Sequence, residues 1–277
     1  MARKIAFIGL GEMGLGMAVN LVKSGFQVFG YDQKPSACKE AIEKGVIVCA
    51  SIKEAANNSD NIVISIVRNL PQTEEVIFGA NGILSNKRKL FTLIIMSTLD
   101  PNELNTLGKK TKDAGHVLID APVSGAKSRA DEGTLTIMTA GSKDVIDNCR
   151  PFFDAMGKHI FYFGDKIGSA QAAKLSNNLM LAINMVGCTE GLKLSKSFDL
   201  PSDEFLELLK VSSGGSWVVQ NWDAVSKWWE DYRPNETLDI VHKDIFAIQK
   251  ICFEKKLSLP IGTLVSSQLL NSWSKLP

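Results

Sequence analysis

Residues 4–8, Lys4-Ile5-Ala6-Phe7-Ile8, form an apolar run of strand length that leads straight into Gly9-Leu10-Gly11-Glu12-Met13-Gly14 and then a helical pattern. Strand, G-x-G-x-x-G, helix is the order in which a dinucleotide's pyrophosphate is held. Gly9 supplies the tight turn, Gly11 lets the backbone approach the phosphates, and Gly14 packs helix against strand. The helix N-terminus, with its unpaired N–H groups, faces the anion. A second strand, Gln27-Val28-Phe29-Gly30-Tyr31, ends on Asp32, about twenty residues on, where an acid meets the adenosine ribose. An acid there accepts from a free ribose diol and repels a 2′-phosphate, so it favours NAD and leaves NADP as the alternative. The competing reading makes Asp32 a cap for the helix that follows at Pro35 or Ser36. Glu12, Met13 and Val67, the last at the end of the strand-like run 61–67, join the glycines as candidate cofactor contacts.

Through the first half, short apolar runs alternate with helical patterns, which predicts an α/β domain built on a doubly wound, mostly parallel sheet. Ser51-Ile52-Lys53-Glu54 is a capping box. Asp100-Pro101 supplies an N-cap and a first-turn proline to a helix ending near Gly115, before the strand Val117-Leu118-Ile119-Asp120. Residues 134–139 and 159–163 read as further strands, and the dinucleotide-binding domain is expected over 1–164. Beyond Gly168 only helical patterns remain, at 170–196, 202–210, 239–255 and 263–273. An all-helical domain for substrate and subunit contacts is therefore expected over 165–277, entered by a long helix.

Two segments carry chemistry. In Lys174-Leu175-Ser176-Asn177-Asn178, positions 174 and 178 share a helix face. A lysine there gives or takes a proton and an asparagine orients the reacting oxygen; the plainer alternative is a solvated surface lysine. Asp120-Ala121-Pro122-Val123-Ser124-Gly125-Ala126 sits at a strand exit, where doubly wound sheets bind ligands. Its small residues expose N–H groups that, with the Ser124 hydroxyl, form a nest for a carboxylate; an ordinary Ser-Gly turn is the alternative.

Other classes find little support. A formal net charge of +1 over 277 residues gives no footprint for nucleic acid or membrane. Lys87-Arg88-Lys89 is a short basic cluster that reads as a solvated loop. His116, His159 and His242 lack metal-ligand spacing, so no metal is expected. The five cysteines are odd in number and contain no C-x-x-C, which suggests free thiols in a reducing compartment. Met1-Ala2-Arg3-Lys4 before an apolar stretch imitates a signal peptide, but Glu12 and the glycines interrupt it; a cytoplasmic protein is expected.

In their order, the fingerprint Gly9 to Gly14, the stretch from Asp120 to Gly125 with Gly133-Thr134-Leu135, Gly168 through Lys174 to Asn178, and Lys243-Asp244 make the chain resemble the β-hydroxyacid dehydrogenases. That family lies within the 6-phosphogluconate dehydrogenase-like superfamily and includes 3-hydroxyisobutyrate dehydrogenase and tartronate semialdehyde reductase. The resemblance implies a Rossmann domain joined by a long helix to a helical domain, assembled as homodimers or homotetramers. It implies a catalytic Lys174 aided by Asn178, substrate held by Ser124 and Gly125 with Ala126 beside them, Thr98 on the nicotinamide side, and Lys243 closing over cofactor and substrate from the helical domain. Trp217, after Gly214-Gly215-Ser216, falls where the family presents a side chain to substrate; Trp222, Trp228 and Trp229 read as core or subunit contacts. The implied reaction is reversible hydride transfer to NAD from a small anionic hydroxyacid, or to the semialdehyde from NADH. Hydroxyisobutyrate, glycerate or tartronate semialdehyde, serine, 4-hydroxybutyrate and sulfonate analogues all carry the required groups. Burial and a neighbouring oxidised nicotinamide are expected to disfavour the charged form of Lys174. Two departures stand out. Ala126 replaces a second glycine, where a Cβ either narrows the anion pocket or forbids a positive φ. The sequence stops at Ser274-Lys275-Leu276-Pro277, earlier than the family's usual end. Imine reduction and a noncatalytic dinucleotide-binding module are the competing functions; related imine reductases generally lack the lysine.

Overall fold

A computed structural model describes residues 2–85, 89–230 and 237–273, with the side chains of 229–230, 237–238 and 269–273 left aside. Lys87, Arg88, the Trp229 side chain and residues 274–277 lie outside the described part. The chain divides into two compact units, residues 1–174 and 175–277.

The first unit alternates strand and helix from its start: β1 (Lys4–Ile8), α1 (Glu12–Lys23), β2 (Gln27–Tyr31), α2 (Pro35–Glu43), β3 (Ile47–Val48), α3 (Ile52–Asn58), β4 (Ile62–Ser65), α4 (Leu70–Phe78), β5 (Thr92–Ile95), α5 (Pro101–Asp113) and β6 (Val117–Asp120). These strands form one sheet in the order β3-β2-β1-β4-β5-β6, parallel throughout. Order reverses at β1, so the carboxyl ends of β1 and β4 flank the crevice where such sheets take ligands. Both faces are covered, and the period of two along β1 sorts its residues. Ile5 and Phe7 join α1, α6 (Ala126–Glu132) and α7 (Lys143–Met156) in one apolar cluster; Ala6 and Ile8 join α3, α4 and α5 in the other.

The expected strands at 134–139 and 159–163 exist, but they belong to a second sheet. β7 (Val123–Ser124), β8 (Leu135–Thr139) and β9 (Gly157–Tyr162) lie in that order, with β7 antiparallel to β8. The capping signals act locally as read. The Glu54 N–H donates to Ser51 Oγ at 3.1 Å, while the Glu54 carboxylate accepts from the N–H of Ala50 at 2.7 Å. Asp100 accepts from the N–H groups of Asn102 and Glu103 to open α5.

Helix α8 (Ser169–Lys196) begins in the first unit and continues into the second, which adds α9 (Ser202–Val211), α10 (Trp217–Gln220), α11 (Trp222–Glu230), α12 (Thr237–Lys255) and α13 (Pro260–Trp273). α8 is apolar on more than one side, and within the second unit it packs into two clusters. Met185, Cys188 and Leu192 meet α9, α10 and α11; Leu175 and Ala182 meet α12 and α13. Trp222 and Trp228 pack against the first of these clusters, as expected for core residues.

Candidate functional site

The glycine loop separates what the fold needs from what a ligand needs. Gly9 has φ +98°, and a Cβ there would stand 2.1 Å from the carbonyl oxygen of Ile66. A Cβ on Gly14 would stand 1.9 Å from the carbonyl oxygen of Gly9. Both contacts are with backbone that cannot rotate aside, so both glycines are required for folding. Gly11 is different: its φ is −72°, and a Cβ would meet nothing within 4 Å. No protein atom asks for glycine there, and the open space lies at the start of α1, whose first N–H groups have no partner within the helix. No side chain caps that end. Glu12 is exposed and Met13 half-buried against the core. A dinucleotide pyrophosphate fits this cradle in both charge and space.

Asp32 is not the cap of α2. The N-cap is Lys34, and it makes no side-chain cap bond. Asp32 Oδ1 accepts from the Lys34 N–H at 2.8 Å and Oδ2 from the Leu10 N–H at 2.7 Å. The carboxylate is thereby fixed against the glycine loop, and each oxygen keeps a lone pair for a ribose hydroxyl. Val67, just past β4, donates its N–H to Ser97 Oγ at 2.8 Å, joining the loops after β4 and β5.

At the exit of β6 the chain enters the Ser124–Ala126 turn. Gly125 has φ +144°, and a Cβ there would press on Arg129 at 2.7 Å. Of the two readings of Ala126, the one in which its Cβ forbids a positive φ fails, because the residue adopts φ +55° at the start of α6; the other, a narrowed anion pocket, stays open. The Ala126 Cβ is exposed, and the left-handed conformation costs about 1 kcal/mol relative to glycine. The stem of half-buried Arg129 lies beside this turn, a cation near a candidate anion site that no local sequence motif marks.

The polar centre of the unit is a buried network around Asp120, which is 0% exposed. Its Oδ2 accepts from the N–H groups of Gly168 (2.9 Å), Ala170 (3.1 Å) and Gln171 (3.2 Å), the opening turn of α8. Its Oδ1 accepts from Gln171 Nε2 at 2.9 Å. Burial pushes the Asp120 carboxyl up to about 6, against the pull of these hydrogen bonds. Gln171 also donates from Nε2 to the Ser97 carbonyl at 3.0 Å and accepts at Oε1 from the Leu99 N–H at 2.9 Å, bracketing half-buried Thr98. Lys174, one turn along α8, is only 8% exposed, so the surface-lysine reading fails.

In the helical unit, Asn178 is buried and donates from Nδ2 to Asp244 Oδ2 at 2.6 Å, while its Oδ1 accepts from Asn177 Nδ2 at 3.1 Å. Asp244 is fully buried, and its Oδ1 lies 2.8 Å from Lys243 Nζ. That contact is a charge pair rather than an aligned hydrogen bond, since Oδ1 has no partner of hydrogen-bond geometry. The adjacent Lys243-Asp244 signal thus marks a carboxylate that sets the asparagine amide. Trp217 opens α10 behind the Ser216 cap, 42% exposed and tilted against Trp228. Among the described residues no group of three or more His, Cys, Asp or Glu is placed to hold a metal ion. His116 accepts the Phe91 N–H at Nδ1 and stacks on that ring, a packing role.

Comparison with known proteins identifies the family of the chain. Residues 4–164 match the model of the NAD-binding domain of 6-phosphogluconate dehydrogenase. Residues 168–275 match that of the NAD-binding domain of NADP-dependent 3-hydroxyisobutyrate dehydrogenase. The chain belongs to the β-hydroxyacid dehydrogenase family. It is 31% identical to NAD-dependent L-serine dehydrogenase of Pseudomonas aeruginosa, over 96% of this chain and 90% of that one. It is 38% identical to mitochondrial 3-hydroxyisobutyrate dehydrogenase of Mus musculus over 80% of this chain, and that match spans 65% of the mouse protein's length. A solved structure of Mycobacterium tuberculosis 3-hydroxyisobutyrate dehydrogenase with L-serine superposes with a TM-score of 0.86 at 26% identity, covering 100% of this chain and 95% of that one.

Proposed function

We propose that the protein is an NAD-dependent oxidoreductase that moves a hydride reversibly between nicotinamide and a small β-hydroxyacid or its semialdehyde. The observation that carries this reading is the buried Lys174, placed at the start of a helix that Asp120 and Gln171 tie to the Thr98 loop. Bound NAD supplies the hydride acceptor at nicotinamide C4. Lys174, as the amine, takes the hydroxyl proton as the carbinol carbon gives up its hydride; as the ammonium it returns that proton to the carbonyl oxygen in the other direction. Asn178, its amide set by Asp244, orients the hydroxyl. Ser124 and the N–H groups of the Gly125–Ala126 turn hold the carboxylate, with Trp217 bounding the substrate and Lys243 assigned to the cofactor side. Gly9, Gly11 and Gly14 with Glu12 and Met13 cradle the pyrophosphate, Val67 and Thr98 flank the cofactor, and Asp32 favours NAD over NADP by charge.

The names of the relatives support 3-hydroxyisobutyrate and L-serine as first substrates. Exposed Phe246, Phe253, Ile261 and Leu264 on α12 and α13 support a homodimer or homotetramer formed through the helical half, which we assign to residues 165–277. Five free thiols favour a reducing compartment, for which we propose the cytoplasm. Among the described residues no helix is long and apolar enough to cross a membrane. The test is Lys174→Met, which keeps the stem and removes the amine. Turnover should fall about 10²–10⁴-fold while NAD affinity stays within about threefold; equal loss of both would contradict the role.

A further inference from the structure

The Gln171 amide has one workable orientation. A carboxylate only accepts, so Nε2 faces Asp120 Oδ1, and the same nitrogen then reaches the Ser97 carbonyl while Oε1 takes the Leu99 N–H. Turned over, the amide would set oxygen against two acceptors and nitrogen against a donor. Asp120, together with the Ser97 carbonyl and the Leu99 N–H, therefore fixes which way Gln171 points, and Gln171 in turn holds the two peptides flanking Thr98. The same carboxylate fixes the opening turn of α8 through three N–H groups. Gly168 adds closeness: at φ +96°, a Cβ there would stand 2.4 Å from the Pro101 carbonyl oxygen. Ala170 and Ala173 pack on Met138 and Ala140. Gln171 and Lys174 are three apart on one helix and so are surface neighbours. A buried side chain with no part in proton transfer thus links the Thr98 loop to the helix turn that bears the amine.

We propose that Gln171, oriented by Asp120, is a positioning residue for hydride transfer that holds the Thr98 loop and Lys174 in register. This rests on the dehydrogenase reading above. Positioning errors near 1 Å cost about 10²-fold in rate, so Gln171→Met, similar in volume but without hydrogen bonds, should lower kcat by about 10–100-fold.

The test measures turnover of L-serine and 3-hydroxyisobutyrate with NAD, using each substrate with hydrogen and with deuterium at the carbinol carbon. For Gln171→Met the expected result is a lower kcat, a larger isotope effect because hydride transfer becomes slower than product release, and an NAD dissociation constant within about threefold of wild type. A merely structural role would lower the folded fraction and kcat together but leave the isotope effect unchanged, and that result overturns the proposal, as does a kcat within twofold of wild type. If Gln171→Met does not fold, Asp120→Asn, nearly isosteric but no longer a double acceptor, is read in the same way. Lys174→Met in the same experiment separates the two claims. An inactive Lys174 variant beside an unaltered Gln171 variant refutes only the positioning role, an active Lys174 variant refutes the proton-transfer role of that amine, and absence of turnover in wild type refutes the dehydrogenase assignment.

Discussion

Gly11→Ala and Gly14→Ala place the same methyl group three residues apart, and the structure assigns them opposite consequences. At Gly11 the backbone has φ −72° and ψ −162°, comfortable for alanine, and no protein atom lies within 4 Å of the new Cβ. Reduced freedom of the unfolded chain stabilises by about 0.4–1 kcal/mol, and alanine is a poorer N-cap than glycine by roughly a similar amount. The two nearly cancel, so the melting temperature should move by less than about 4 °C. The methyl group occupies the open space at the start of α1 that the proposed site gives to pyrophosphate. Overpacking of about 1–3 kcal/mol corresponds to a loss of about 5–150-fold in NAD affinity. At Gly14 the new Cβ meets the Gly9 carbonyl oxygen at 1.9 Å, and relief requires moving α1 relative to the turn after β1. That variant should lose about 3 kcal/mol or more and melt at least about 6 °C lower. Thermal melts with NAD titrated by calorimetry check both. Unchanged NAD affinity in Gly11→Ala, or melting as low as that of Gly14→Ala, would refute the division between folding glycines and a binding glycine.

Two further outcomes follow from the carboxylates. Replacing Asp32 by Ser removes the charge proposed to face the ribose and should lower the preference for NAD over NADP by about tenfold or more, taking about 1.4 kcal/mol for the repulsion; an unchanged ratio of kcat/KM for the two cofactors contradicts that role. Asp120 titrates near pH 6 in the folded protein, above its ordinary range, so the folded state holds that proton more tightly than the unfolded chain. The associated stability is fully present below about pH 4 and is lost as pH rises through about 6. Roughly two pH units at about 1.36 kcal/mol each amount to about 3 kcal/mol. Urea unfolding should therefore show wild type losing stability relative to Asp120→Asn between pH 4 and 6, and the opposite slope would refute the shift.

Local signals were legible in the sequence, and long-range partners were not. Gly9, Gly14, Asp32, the Ser51 and Asp100 caps and the start of α8 each announce themselves within a few residues, because turns, caps and helix faces are short-range physics. In the sequence Asp120 reads as the edge of an anion-binding stretch; its bond to Gln171 spans 51 residues, and no periodicity encodes it. Gln171 likewise reads as one more polar helix residue until its bonds to Ser97 and Leu99 are seen. Strands β8 and β9 were visible as strands, but their membership in a second sheet was not, since apolar alternation looks the same in either. The two-residue strands β3 and β7 carry too few side chains for any pattern. The helices α10 and α11 escaped because the Gly214-Gly215 break before them and their clustered tryptophans obscure a helical period. Sterics alone disfavour a positive φ at Ala126, and the fold accepts that modest backbone strain there.

Dehydrogenase activity is tested by the absorbance of NADH formed when purified protein is given NAD with L-serine, 3-hydroxyisobutyrate, glycerate or 4-hydroxybutyrate. Sustained production of reduced cofactor is expected with at least one of these acids, faster with NAD than with NADP. Tight NAD binding with no NADH from any of them, and no NADH consumption when the matching semialdehydes are offered, would contradict the dehydrogenase assignment.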